Sequence, residues 1–172
     1  KDYSGTVGAN ALGAAVGLLT GTFVMSTGYN LVRDLVSNSL IDSSSIYLAS
    51  KDHLSKVDRK NGQIIWKHQF PEKLVSKSSI FVNDSLLFMV NYGSAYMGYR
   101  QLNFGKPFIA AFDRESGEQK YSTLINERKD PILGFKVMQD EIYLVFNNRI
   151  AKYAMFTGKQ ILEKELPKAD YG

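Results

Sequence analysis

The chain has 172 residues, of which 44% are hydrophobic and 12% aromatic, enough apolar side chain to bury a core of its own. It contains no Cys, which excludes disulfides, thiol catalysis and thiolate metal sites. The net charge of +4 is spread along the sequence without a dense basic cluster, which argues against nucleic acid as a partner.

The first segment, Ser4 to Gly28, carries no charged residue and places Gly13, Gly17 and Gly21 four apart. That length would just span a bilayer, and the small-residue spacing would suit packed helices. Its glycine content is costly in a helix, however, and Ser, Thr and Asn interrupt the apolar run, so strands are the favoured reading. No basic region precedes a compact apolar one, as a secretion signal would require. The first residue is Lys rather than Met, so the expectation is a removed signal or a truncated chain.

The next segment, residues 39–58, reads as strand, turn, strand, turn, strand, and leads into "KVDRKNGQIIW" around Gly62. Residues 79–90 supply two more strands and residues 107–113 a third, leading to "AFDRESGEQKY" around Gly117. Residues 136–154 repeat the pattern and lead to "YAMFTGKQIL" around Gly158. The four glycines Gly21, Gly62, Gly117 and Gly158 are therefore 41, 55 and 41 residues apart. The register extends beyond them, since "IYLAS" (46–50) and "IYLVF" (142–146) superpose without a gap.

Each glycine sits in a common frame. Asp58 and Asp113 stand four residues before it, and Trp66 and Tyr121 four after; at Gly158 those places hold Ala154 and Leu162, and at Gly21 they hold Gly17 and Met25. A strand that ends at Asp and is followed by polar residues and a glycine with φ > 0 predicts a tight hairpin turn, with the Asp accepting from its backbone N–H groups. The large residue beyond then lies on the next strand, free to wedge between neighbouring sheets. These four side chains are scaffold by this reading, not site.

The frame resembles the pyrroloquinoline-quinone-like propeller repeat, close to A-x-D-x-x-T-G-x-x-x-W. Ala111, Asp113, Gly117 and Tyr121 match it in one copy and Asp58, Gly62 and Trp66 in another; Thr157 with Gly158, and Ala15 with Thr20 and Gly21, match more weakly. The resemblance implies an all-β fold, a partial or fragmentary β-propeller of about four four-stranded antiparallel blades. Its units fall at approximately 1–28, 37–70, 76–125 and 132–166, with an insertion at 91–106. It also implies remaining blades of a parent propeller, and a periplasmic or cell-envelope location. The family contains quinone-dependent dehydrogenases and non-catalytic scaffolds such as the lipoprotein of the outer-membrane assembly machinery.

No local motif supports catalysis. Only His53 and His68 are present, without metal-ligand spacing, and Ser94 lacks the setting of a nucleophile elbow. No cofactor or metal is expected, and the vicinal Cys pair that caps many quinoprotein sites is missing. The insertion is the one departure from the repeat. It holds Tyr92, Tyr96, Tyr99, Arg100 and Phe104, residue types suited to partner contact on a loop carried by a rigid scaffold. Pro107 and Phe108 are expected to anchor the return strand. The function expected is thus a non-catalytic scaffold for a protein or peptide partner, reaching the membrane only through a partner or a missing segment. The alternatives are a fragment of a quinone-dependent dehydrogenase, or a carbohydrate- or ligand-binding propeller that uses the Tyr-rich insertion as a stacking platform.

Overall fold

The computed structural model describes residues 37–50, 52–71, 75–97, 100–103, 105–125 and 130–167. The expected first unit, with Gly21, lies outside them. Fourteen strands and no helix are present among the described residues.

Twelve of the strands form three four-stranded antiparallel sheets. The first contains β1 (Leu40–Ile41), β2 (Ser45–Ala49), β3 (His53–Asp58) and β4 (Ile64–Gln69) in sequence order. The second contains β5 (Ser78–Asn83), β6 (Leu86–Asn91), β9 (Phe108–Asp113) and β10 (Gln119–Leu124). Between β6 and β9 the chain leaves the sheet to form a separate hairpin, β7 (Ser94–Met97) with β8 (Arg100–Asn103). The third contains β11 (Gly134–Met138), β12 (Glu141–Val145), β13 (Arg149–Ala154) and β14 (Gln160–Glu165). The fold is all-β and has the architecture of a partial propeller.

The sheets pack face to face, and the middle one shows why. Along β6 and β9, Leu87, Met89, Phe108, Ala110 and Phe112 join a core shared with the first sheet, while Phe88, Val90, Ile109 and Ala111 join a core shared with the third. Because side chains alternate along a strand, a sheet buried on both faces must read as an unbroken apolar run. "LLFMV" and "FIAAF" are such runs. Each buried Phe, Leu or Ile contributes about 1.5–3 kcal/mol. The outer strands β4, β10 and β14 are exposed along much of their length, with Ile64, Leu124 and Ile161 open to solvent.

The glycine frame makes both the turn and the joint between sheets. Gly62, Gly117 and Gly158 all take positive φ (73°, 74° and 66°), and each N–H donates to the carbonyl four residues earlier at 2.9 Å. Asp58 Oδ1 accepts from the N–H groups of Lys60 (2.8 Å) and Asn61 (3.0 Å), and Asp113 Oδ1 from those of Glu115 (3.0 Å) and Ser116 (2.8 Å). The aromatic of one sheet then covers the turn of the next. A Cβ at Gly117 would lie 2.6 Å from Trp66, and one at Gly158 2.5 Å from Tyr121. Trp66 Nε1–H donates to the Arg114 carbonyl (3.1 Å), and Tyr121 O–H to that of Met155 (2.5 Å), which are equivalent positions one residue into each turn. Trp66 and Tyr121 thus occupy equivalent surroundings, as expected of successive copies of one module.

Candidate functional site

Within each meander, the first and third turns lie at one end of the sheet and the second turn at the other. That other end also carries the links between sheets and the β7–β8 hairpin. This loop end is the candidate site.

The hairpin rises from a buried polar knot. Asn91, at the end of β6, is fully buried; its Oδ1 accepts from Ser76 Oγ–H (2.9 Å) and Gly93 N–H (3.0 Å), and its Nδ2 donates to Ser78 Oγ (3.2 Å). A buried amide needs such partners, and here they come from two stretches of chain, residues 76–78 and the hairpin stem at Gly93. Gly93 takes φ +67° and lies so close to Pro107 that a Cβ would meet the ring Cδ at 2.6 Å and the ring nitrogen at 2.8 Å, so the two stems of the hairpin are pinched together at that point. Backbone bonds tie the base to both links: Lys77 N–H to the Ser94 carbonyl (2.9 Å), Tyr92 N–H to the Lys77 carbonyl (2.8 Å), and Ile132 N–H to the Tyr92 carbonyl (2.9 Å).

The five insertion residues are distributed unevenly. Tyr92 stands at the base rather than on the hairpin; its ring is 6.3 Å from that of Phe135, its O–H is 3.0 Å from Ser79 Oγ, and Lys77 Nζ lies 4.9 Å from its ring centre. Tyr96 lies on β7, paired with Gln101, and Arg100 on β8, paired with Met97. Tyr99 and Phe104 lie outside the described residues. Pro107 and Phe108 are buried where the chain returns to the sheet, and the Pro107 carbonyl accepts from Ile125 N–H at 3.0 Å.

A second cluster at this end was not apparent from the sequence. In the β2–β3 turn, Ser50 Oγ is 2.8 Å and Asp52 Oδ1 2.6 Å from His53 Nδ1, and Ser50 Oγ–H reaches Asp52 Oδ1 at 2.9 Å. The residue types are those of a nucleophilic triad, but the geometry is not. A triad places its serine and its carboxylate on opposite ring nitrogens, whereas here both address Nδ1. The hydrogen bonds from Ser50 and then His53 hold the Asp52 carboxyl down at about 2. The cluster braces its own turn.

A further set of ionic groups lies at the opposite end. Arg114 pairs with Asp42 (2.5 Å), and its Nε–H donates to the Tyr47 hydroxyl oxygen (3.0 Å). Burial opposes ionisation of Asp42, but the bonds from Arg114 and from the N–H groups of Ser44 and Ser45 prevail, leaving its carboxyl well below the usual range. Asp58 and Asp113 are both engaged by their own turns. Among the described residues no three His, Cys, Asp or Glu side chains come together as a metal-binding group. Among them, too, no helix is long and apolar enough to cross a membrane, which says nothing of β-barrels.

No family model and no curated protein matches this sequence. Solved structures do match. The europium-containing methanol dehydrogenase aligns with a TM-score of 0.54 at 15% identity, over 82% of this chain and 26% of its own. The quinohemoprotein alcohol dehydrogenase from Comamonas testosteroni aligns at 0.55 and 10% identity, over 77% and 21%. The computationally designed Ika8 protein aligns at 0.54 and 8% identity, over 77% and 37%. The chain thus spans about a quarter of the two dehydrogenases and little more than a third of Ika8. At these identities the similarity establishes the fold alone, that of a β-propeller.

Proposed function

We propose that this chain is a non-catalytic propeller scaffold that binds a protein or peptide at the loop end of its sheets, within a cell-envelope assembly. One observation carries the reading: the β7–β8 hairpin leaves the repeat yet is fixed at its base by the buried Asn91 knot and by backbone bonds to both inter-sheet links. A binding segment held in one geometry before its partner arrives loses less conformational entropy on binding. Tyr96, Tyr99, Arg100 and Phe104 supply the contact side chains, and Tyr92 supports the base. The envelope location follows from the family resemblance. Similarity to two dehydrogenases favours, as a second reading, a part of a quinone-dependent enzyme whose ligands lie elsewhere.

The test is to replace residues 94–103 with a short turn and, separately, to make Tyr96→Ala with Tyr99→Ala, in the protein expressed from its own gene. Both variants should keep the wild-type melting temperature within a few degrees and lose a stoichiometric partner recovered from envelope extracts. Unchanged recovery removes the hairpin from the function. Dye-linked alcohol oxidation by the protein loaded with quinone and calcium would establish the second reading instead, and glycan binding abolished by the Tyr changes would establish the ligand-binding one.

A further inference from the structure

Asn61 and Gly62 form the single Asn-Gly pair of the sequence. Asparagine is among the residues most prone to chemical change, and a glycine after it carries no Cβ to keep its side-chain carbon away from the next backbone nitrogen. In the turns around Gly117 and Gly158 the place of Asn61 is taken by Ser116 and Thr157, whose hydroxyls offer no carbonyl carbon to attack.

The three turns share one backbone. In each, the glycine has positive φ and its N–H donates at 2.9 Å to the carbonyl four residues earlier. In each, the side chain before the glycine also accepts from the N–H after it: Asn61 Oδ1 from Gln63 (2.9 Å), Ser116 Oγ from Glu118 (3.2 Å) and Thr157 Oγ1 from Lys159 (3.4 Å). The turns differ in cover. Gly117 and Gly158 are buried beneath Trp66 and Tyr121, whereas Asn61 and Gly62 are exposed, with nothing within 4 Å of the place a Gly62 Cβ would take. An uncovered turn opens by losing its own hydrogen bonds; a covered one must also break its packing.

We propose that Asn61 is a site of spontaneous modification, converted to isoaspartate and aspartate through a cyclic imide. When the turn opens and the Gly62 N–H leaves the Asp58 carbonyl, the Gly62 nitrogen attacks Asn61 Cγ and gives its proton to solvent. The Cγ–Nδ2 bond breaks, and Nδ2 takes up a proton and leaves as ammonia. The Gln63 N–H stands on Oδ1, the oxygen where negative charge gathers as the nitrogen adds. Water then opens the imide: attack at the side-chain carbonyl gives aspartate, and attack at the backbone carbonyl gives isoaspartate, with the chain running through Cγ. The net change replaces ammonia by water, with no oxidation or reduction. Either product brings a new carboxylate close to that of Asp58, which accepts from the Asn61 N–H at 3.0 Å. Isoaspartate also lengthens the backbone inside the ring closed by the Gly62–Asp58 bond, so the original turn cannot re-form. The inference stands apart from the proposed role of the β7–β8 hairpin.

The test incubates the full chain in neutral buffer made with heavy-oxygen water and follows residue 61 by peptide mass mapping. Isoaspartate is measured by methyl transfer from S-adenosylmethionine, catalysed by an isoaspartate methyltransferase. Ser116→Asn and Thr157→Asn, made separately, each set an Asn-Gly pair beneath a ring. Native Asn61 should convert, with heavy oxygen in the new carboxylate and isoaspartate in excess of aspartate. The two covered pairs should convert about tenfold more slowly in variants that keep the wild-type melting temperature, and in concentrated urea the three rates should converge. Four results would each overturn the proposal: native residue 61 unchanged after the time in which the urea-unfolded chain converts, aspartate without isoaspartate, folded covered pairs as fast as Asn61, or covered pairs still slow in urea.

Discussion

The joint between the first and second sheets and the joint between the second and third are built on the same frame with different chemistry. The first sets Trp66 on Gly117 and surrounds it with ionisable groups: Lys56 with Glu115, Arg114 with Asp42, and His68 edge-on between Phe70 (5.0 Å) and Phe112 (4.8 Å). The second sets Tyr121 on Gly158 over an apolar core in which Phe81 stacks on Phe88 (5.2 Å) and on Phe135 (5.7 Å). The frame thus fixes the geometry of a joint and leaves its polarity free. The first joint should therefore respond to acid more than the second.

The largest effect should come from the turn glycines. Gly117→Ala and Gly158→Ala add a Cβ against an aromatic ring as well as imposing positive φ on an L side chain, and each should cost about 3 kcal/mol or more in chemical denaturation. Gly62→Ala has the same φ but nothing within 4 Å of its added Cβ, so it should cost about 1 kcal/mol. Equal losses at all three would mean that the rings do not press on the turns.

The next is Asn91→Ala, which strips partners from Ser76, Ser78 and Gly93 N–H and should cost about 2 kcal/mol. Hydrogen exchange should show the loss concentrated at Gly93 and Ser94, with the turn amides of Gly117 and Gly158 unaffected. This knot was not legible in the sequence, because Asn91 lies 15 and 13 residues from Ser76 and Ser78 and only the β5–β6 pairing brings them together. The frame was legible for the opposite reason. Asp113, Gly117 and Tyr121 lie within nine residues, and each is fixed by local backbone geometry. The insertion could be found as a departure from the repeat, but its hairpin register could not. Neither could the use of Nδ1 by both Ser50 and Asp52, since the residue types alone suit a triad equally well.

A smaller effect separates the joints by pH. Burial pulls the His68 pKa down, with a hydrogen bond to Gln119 partly offsetting it. The fold therefore favours neutral imidazole, so stability is full above about pH 6.5 and falls as the pH drops through the folded-state value. The Asp42 carboxyl adds a second loss further down: its folded pKa is depressed, so its contribution disappears as the pH falls below about 4. Melting temperature should decline between pH 7.5 and 5 in the wild type and less in His68→Asn. Phe81→Leu, at the apolar joint, should lower it by the same amount at both pH values. A Phe81→Leu deficit that grows with acid would erase the distinction between the joints.

The smallest is Glu115→Gln. Glu115 is largely exposed and its amide replacement still accepts from Lys56, so the loss should be under about 1 kcal/mol and should shrink in high salt. A larger, salt-independent loss would show that the ion pair, not the ring on the glycine, holds the first joint.

The claim beneath all of this is that the aromatic of one sheet seats on the turn glycine of the next, and proton NMR reads it directly. The Hα resonances of Gly117 and Gly158 should be moved well upfield by ring currents and show nuclear Overhauser contacts to Trp66 and Tyr121, with Gly62 lacking contact to either ring. Ordinary shifts for Gly117 and Gly158, without contacts to those rings, would contradict it.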